Sequence, residues 1–343
     1  MYKAKRILEH INGDELDHYL LNGWFRMKQY VFTTEFLQMG LEFYDAIWLR
    51  HRLADFQFPK WFRKLQKDNR FRAEITDFHP TPEHELLYQA YRESKPSGFP
   101  DSLESILYGD TDHNLFNTLQ INVYNGNELI GAGFFDIGHH TAMGIVSYFE
   151  PSYSSFSIGK YTTMLKYAYC IEKGLDYYYP GYFAPGHTSF DYKLKFHPAS
   201  LEFLDMRKQT WLPIEAYRQE DSPLEHLAQE LSLLAKFLDA KEMIACLVHN
   251  LYFAYLETSR YDCPLALMIY PTENFSGQSV ITYDHHTKEY HVFLWDDADF
   301  TDILKSWDGR LICMKAFPLK KPVFTSGSMD AIASHLAISS KQS

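Results

Sequence analysis

The side chains able to take part in a reaction gather between Thr118 and Phe203. Asp136 and Glu150 each close an apolar run, where a carboxylate serves as an acid–base group or simply caps the loop that follows. His187 lies in a loop, where an imidazole could act as a proton acceptor or be an ordinary loop histidine. Tyr148, Tyr161, Tyr182 and Ser157 supply hydroxyls, and Gly159 and Gly181 leave bare backbone beside them. Such an inventory suits moving protons and steadying charge. Cys170, Cys246, Cys263 and Cys313 stand far apart with no C-x-x-C pair, so they indicate neither a zinc site nor a disulfide framework and read as buried thiols of a reducing compartment.

These side chains need a scaffold. Leu119-Gln-Ile-Asn-Val-Tyr, the Asn125-Gly126 turn and Glu128–Asp136 spell strand, hairpin turn and strand. Ala142–Phe149 adds the third strand of a meander, and Pro151–Ser157 is a Ser/Tyr-rich loop. Apolar residues at helical spacing run from Ile158 to Lys173 and stop at Gly174. Leu175–Tyr179 then forms a strand parallel to the meander, closed by Pro180-Gly181. A meander feeding a strand, loop, helix and strand is the layout of the acetyltransferase-like (GNAT-like) acyltransferases, so the expected class is α+β. In that layout the coenzyme A pyrophosphate rests on glycine amides at the start of the helix. Here the run is Phe156-Ser-Ile-Gly159-Lys-Tyr161, with one glycine and a ring where a small residue is needed. The expected acyl donor is therefore not acetyl coenzyme A, and no cofactor is expected.

Around this core, Gln29–Thr33 and Ala46–Arg50 read as strands of a small sheet, with a basic helix over Lys60–Lys67 entered after Pro59. Thr81 caps a helix reaching about Ser94, which Lys95–Pro100 breaks. Beyond Tyr217 a helix is expected from Pro223 to Leu238 and another from Ala240 to Thr258. Strands follow at Gln278–Tyr283 and Tyr290–Leu294, while Thr258–Pro271 and the tail are weakly patterned. The domains expected are 1–110, 111–220 and 221–343. At 343 residues and 46% hydrophobic, the chain can bury a sizeable core. Its net charge of −11 argues against a protein that coats nucleic acid. Residues 1–73 nevertheless carry 13 Lys and Arg against 9 Asp and Glu, a local +4 that allows a basic face. The first residues hold no apolar signal region and no run of about 18 apolar residues occurs, so a cytoplasmic protein is expected.

The ordered segments Gly133-Phe-Phe-Asp136-Ile, Ser147-Tyr-Phe-Glu150-Pro151, Ser157-Ile-Gly159-Lys-Tyr161, Tyr177-Tyr-Tyr-Pro-Gly181-Tyr182, Pro185-Gly186 and Tyr192-Lys193 resemble the aminoacyl-tRNA-protein transferases, the arginyltransferases of eukaryotes and the related bacterial leucyltransferases. Trp211-Leu-Pro-Ile-Glu-Ala-Tyr is similar to the family's closing segment. Upstream, Gly23-Trp-Phe-Arg26 and Arg50 through Phe56-Gln-Phe-Pro59-Lys-Trp-Phe-Arg63-Lys64 are similar to its basic N-terminal patterns. The chain departs from the family at His187, Ser189 and Phe190, which stand for its Cys, Lys and Met, and at Glu150, which stands for its Asp. The family's N-terminal cysteines have no counterpart between Thr33 and Ile47, so no metal site is expected.

The resemblance implies transfer of arginine or leucine from aminoacyl-tRNA to the α-amine of a protein N-terminus, with an acidic acceptor residue, as in the N-end rule. It implies catalytic roles for Asp136, Tyr148, Glu150, Tyr161, Tyr182 and Lys193: Asp136 and Glu150 at the amine, tyrosine hydroxyls at the oxyanion, and Lys193 on an acidic acceptor side chain. Substrate binding then falls to Ser157, Gly159, Gly181, His187 and Tyr192, and tRNA contact to Arg26, Arg50, Arg63 and Lys64. Two other readings remain open: an acyltransferase of the same fold with another activated donor, and an inactive homologue that binds N-termini or a partner.

Overall fold

A computed structural model describes residues 2–67, 70–95, 99–254, 261–270, 279–294, 301–307, 310–316 and 319–339. The chain forms two compact units, one of Lys5–Thr33 with Ile47–Tyr217 and the other of Met1–Ala4 with Thr34–Ala46 and Arg218–Ser343.

The first unit is built on an eight-stranded sheet. Its spatial order is Thr210–Pro213, Leu201–Asp205, Ile47–Arg52, Tyr177–Phe183, Thr141–Phe149, Glu128–Ile137, Thr118–Asn125 and Arg72–Asp77. The meander strands pair antiparallel in sequence order. Tyr177–Phe183 joins parallel to Thr141–Met143, which requires the crossover helix Ile158–Glu172. That helix lies close on the sheet because Gly131 and Gly133 lack side chains: a Cβ at Gly131 would stand 2.5 Å from Ile158 Cγ2, and one at Gly133 2.9 Å from Thr162 Cγ2. Ile158, Thr162, Lys166 and Cys170, four apart, form the buried stripe of the helix. Successive strand residues face opposite ways, so Phe135 packs with Tyr161, Met164 and Tyr167 while Phe134 packs with Leu87, Tyr88 and Tyr148 on the other face. The Pro82–Glu93 helix begins as expected at Thr81, with His84 Nδ1 accepting from the Thr81 amide at 3.1 Å. The expected break after it includes 96–98, outside the described residues.

Three expectations need correction. Ile47–Arg52 belongs to no small separate sheet but sits in the large one between Tyr177–Phe183 and Leu201–Asp205. The crossover strand does not end at Pro180-Gly181 but runs to Phe183. Gly181 takes φ +84°, a conformation glycine adopts without strain, and the register against Ile47–Arg52 shifts there, so a bulge absorbs what looks like a stop signal. The helix expected over Ala240–Thr258 is instead the strand Ala245–Asn250 and a short turn Leu251–Ala254, with 255–258 outside the described residues. Glu242 at φ 61° ends the preceding helical run, and Ala245–Asn250 finds strand partners on both sides.

The second unit holds a seven-stranded sheet ordered Thr301–Trp307, Arg310–Ala316, Ala245–Asn250, Leu265–Ile269, Ser279–Asp284, Glu289–Leu294 and Phe324–Ser326. Leu265–Ile269 is a fully buried strand within a stretch that lacks clear patterning in the sequence. The helix Pro223–Asp239 turns Leu227, Leu231, Leu234 and Leu238 onto this sheet, together with Tyr2, Phe36 and Phe43. Each such buried leucine contributes roughly 2 kcal/mol.

Candidate functional site

Lys193 is a buried lysine of the first unit. Its Nζ donates to the Tyr182 carbonyl at 2.6 Å and lies 5.2 Å and 5.4 Å from the ring centroids of Tyr182 and Phe190. Burial lowers its ammonium to about 7, and among the described residues no carboxylate pairs with it. Gly181, at φ +84°, turns the backbone beside this group, and a Cβ there would stand at ordinary contact distance, 3.4 Å, from Nζ. Tyr182 packs edge-on to Trp48 at 5.1 Å and burial raises its hydroxyl. His187 stacks edge-on to Phe190 at 5.4 Å. Gly181, Tyr182, His187 and Lys193 thus form one apolar-walled group around a cation.

One residue earlier, Tyr192 is 43% exposed and lines a cleft of about 360 Å³. Its other walls are Gln57, Phe58, Pro59, Lys60, Trp61, Lys160, Lys195, Phe196 and His197. The lining holds three lysines and no carboxylate, and Trp61, 37% exposed, offers a second aromatic surface. Lys160 stands in the first turn of the crossover helix. Ser157 precedes that helix at φ 54° and gives it no side-chain cap, so the first-turn amides keep their positive end of the helix dipole. Gly159 has a packing reason as well, because a Cβ would press on the Phe149 ring at 3.0 Å. Chemically, the cleft suits a ligand that combines negative charge with a flat ring.

The remaining expected residues lie elsewhere. Asp136 is 0% exposed. Its Oδ1 accepts from Arg26 Nη1 at 2.7 Å and from Thr118 Oγ1 at 2.6 Å, and desolvation, opposed by Arg26, raises its carboxyl. Arg26 also donates to the Lys28 and Leu107 carbonyls and to Asn114, so this guanidinium is consumed inside the fold. Arg50 likewise pairs with Glu202 at 2.7 Å and lies over the rings of Tyr177 and Trp211. Neither arginine presents a surface to a phosphate. Tyr148 is in the core with its hydroxyl raised by burial, and Tyr161 packs on Phe62. Glu150 accepts from Ser152 and caps the short turn Pro151–Phe156. Arg63 and Lys64 are exposed on the helix Lys60–Lys67, with Arg63 donating to the Phe58 carbonyl at 2.9 Å.

Residues 76–203 match the family described as "Arginine-tRNA-protein transferase, C terminus". The aspartate/glutamate leucyltransferase of Leptospira interrogans is 26% identical over 183 residues, 51% of this chain and 71% of that protein. That of Stenotrophomonas maltophilia is 28% identical over 111 residues, 32% of this chain and 43% of that protein. Over residues 76–203 the chain is similar to the aminoacyl-tRNA-protein transferases. Among solved structures, that of L-PGS from Bacillus licheniformis aligns at 12% identity and a TM-score of 0.33, over 55% of this chain and 54% of that one.

Within the matched segment lie Lys160, Tyr192, Lys193 and Lys195, and so the cation and one wall of the cleft. The sequence singles out Gly181, Tyr182, His187 and Lys193 of this group, Tyr192 of the cleft, and Ser157 and Gly159 beside it. It missed Lys160, Lys195, Trp61 and His197, which only folding brings together. It also missed Lys166, whose Nζ donates at 2.8 Å to the carbonyls of both Phe134 and Val146 and which burial lowers to about 7. The available signal was a lysine in the apolar stripe Ile158, Thr162, Lys166, Cys170. No described helix is long and apolar enough to cross a membrane.

Proposed function

We propose that this protein transfers an amino acid from aminoacyl-tRNA to the α-amine of a protein whose first residue is acidic, and that the meander and crossover form an acetyltransferase-like catalytic core. The observation that carries this reading is the basic, aromatic cleft at the start of the crossover helix, one wall of which lies in the segment that matches the family. The terminal adenosine of tRNA has the chemistry that such a lining takes: a base to stack on Trp61 or Tyr192 and phosphates to meet Lys60, Lys160 and Lys195. Exposed Arg63 and Lys64 extend the same basic helix. The similarity to aspartate/glutamate leucyltransferases favours leucine over arginine as the residue transferred and aspartate or glutamate as the acceptor.

In the reaction, the neutral α-amine attacks the ester carbonyl, the amide C–N bond forms, the ester C–O bond breaks, and the proton lost by the amine ends on the ribose hydroxyl. The ester is already activated and an α-amine has a pKa of about 7.7–8.0, so positioning contributes most of what is needed. Lys193 suits the carboxylate of an acidic first residue: it is a buried cation with no anionic partner among the described residues, and an incoming Asp or Glu would complete the pair. The Tyr182 hydroxyl and the backbone at Gly181 are placed in this scheme at the oxyanion. Asp136 and Arg26 act as positioning residues that hold the meander's end.

The deciding assay offers labelled Leu-tRNA and Arg-tRNA with peptides beginning Asp, Glu, Arg or Lys. Transfer to the Asp and Glu peptides is expected; label on none of the four would sink the proposal. Charge reversal at Lys160 and Lys195 should weaken aminoacyl-tRNA binding and lower its salt slope by about 1 for each lost contact. Unchanged binding would remove the cleft from the scheme.

A further inference from the structure

Glu35, His285 and His286 stand outside everything described above. All three belong to the second unit, Glu35 in its Thr34–Ala46 segment and the histidines in the turn joining Ser279–Asp284 to Glu289–Leu294. Both imidazoles point Nε2 at the same carboxylate: His286 Nε2 is 2.5 Å from Oε1, and His285 Nε2 is 3.1 Å from Oε2. The ligand atoms of the three lie within 4.8 Å of one another, and no other such group of three His, Cys, Asp or Glu occurs among the described residues.

A simple buried ion pair accounts poorly for this geometry. Glu35 is 3% exposed and His285 5%, so a carboxylate and an imidazole have both been taken out of water. That is costly unless every polar atom finds a partner. Yet Glu35 Oε2 and both ring nitrogens of His285 have no aligned hydrogen-bond partner, although Oε2 and Nε2 are in reach of each other. Lone pairs that approach without bonding head-on suit a third body between them.

We propose that Glu35, His285 and His286 bind a divalent transition-metal ion of the zinc class. Two imidazoles and one carboxylate are the nitrogen-rich donor set of such ions, whereas calcium and magnesium take oxygen. Ligand distances of about 2.0–2.2 Å put the edges of a tetrahedral site near roughly 3.3 Å. The Glu35–His285 edge is already close to that, and the ring of His286, 27% exposed on its side chain, has room to withdraw from Oε1. The surroundings hold the ligands in place: the Tyr2 hydroxyl accepts from the His285 amide at 3.0 Å and donates to the Tyr283 carbonyl at 2.6 Å, and its ring lies 5.0 Å from that of His285. The ion fastens the Thr34–Ala46 segment to the C-terminal turn within one unit. Cysteine spacing, the basis for expecting no metal, could not report a site made of two adjacent histidines and a glutamate 250 residues away in sequence.

The test titrates Co²⁺ into chelator-treated full-length protein and follows the visible spectrum. A d–d band that saturates at a single equivalent and is displaced by Zn²⁺ is expected, with a higher melting temperature in the metal-loaded protein. His286→Ala, at the most exposed ligand and verified as folded by circular dichroism, should weaken binding by more than about tenfold. Wild-type protein without a visible band under excess Co²⁺, a band unchanged in His286→Ala, or a near-ultraviolet thiolate band in its place would overturn the proposal.

Discussion

At the scale of single residues, burial decides what each charge can do. Lys193 is lowered to about 7 by burial alone, so an acidic acceptor should bind best when the ammonium is protonated. The KM for an Asp-first peptide is expected to rise as pH climbs above 7, and Lys193→Met should remove that rise while lowering kcat/KM for Asp-first peptides about 30-fold, or ~2 kcal/mol. A Lys193→Met enzyme with wild-type pH dependence would exclude the carboxylate role. Lys166 bears on stability instead. Its folded-state value of about 7 lies below the ordinary 10.5, so the unfolded chain holds a proton that the folded chain releases between those values. Its contribution to stability is therefore greatest above pH 10.5 and is lost as pH falls through 7. Urea unfolding at pH 7 and pH 9.5 should show a larger gain for wild type than for Lys166→Met. Arg26 and Asp136 show what sequence could not convey. Separately they look like a phosphate contact and a catalytic carboxylate, but their 2.7 Å pairing joins positions 110 apart, and no local pattern carries that. Asp136→Asn should cost about 3–5 kcal/mol in unfolding free energy; a loss below 1 kcal/mol would show that the pair is dispensable.

Among elements, local periodicity was legible wherever it was the deciding force. The meander, the Asn125-Gly126 turn and the crossover helix follow from period-two and helical spacing, and all appear where that spacing puts them. Strand Ala245–Asn250 was hidden because Ala-Cys-Leu-Val-His-Asn fits either element, and only its two strand neighbours decide between them. The cleft was hidden for a related reason: its walls come from the helix after Pro59, the crossover helix and the turn at Tyr192–His197, three elements far apart in sequence. The seating of the crossover helix makes a direct test. Gly131→Ala would drive a methyl to 2.5 Å from Ile158 Cγ2, and such overpacking should cost about 1–3 kcal/mol in a urea titration. Pairing it with Ile158→Ala frees the space, so the double variant should recover part of the loss. A double variant less stable than the sum of the two single changes would mean that the contact does not set the helix position.

For the molecule as a whole, the division into units does not follow the chain. Residues on either side of position 110 share one sheet, since Arg72–Asp77 pairs with Thr118–Asn125. The C-terminal residues from Arg218 onward share their unit with Met1–Ala4 and Thr34–Ala46. Composition shifts along a sequence find linkers between consecutive domains; they cannot find a unit assembled from three separate segments. The consequence is specific. Tyr2, Phe36 and Phe43 are buried among Leu227, Leu231, Leu234 and Leu238, so a fragment ending at Tyr217 would carry three aromatic side chains whose apolar partners have been removed. Expressed alone, residues 1–217 should bind a hydrophobic dye strongly and aggregate at concentrations where the full chain stays dispersed. Replacing Phe36 and Phe43 with Ser in that fragment should restore much of its solubility, because in the fragment those rings have no core to lose. If residues 1–217 instead prove monodisperse and dye-silent without these changes, the N-terminal segments do not depend on the C-terminal core for their burial, and the three-segment unit is wrong.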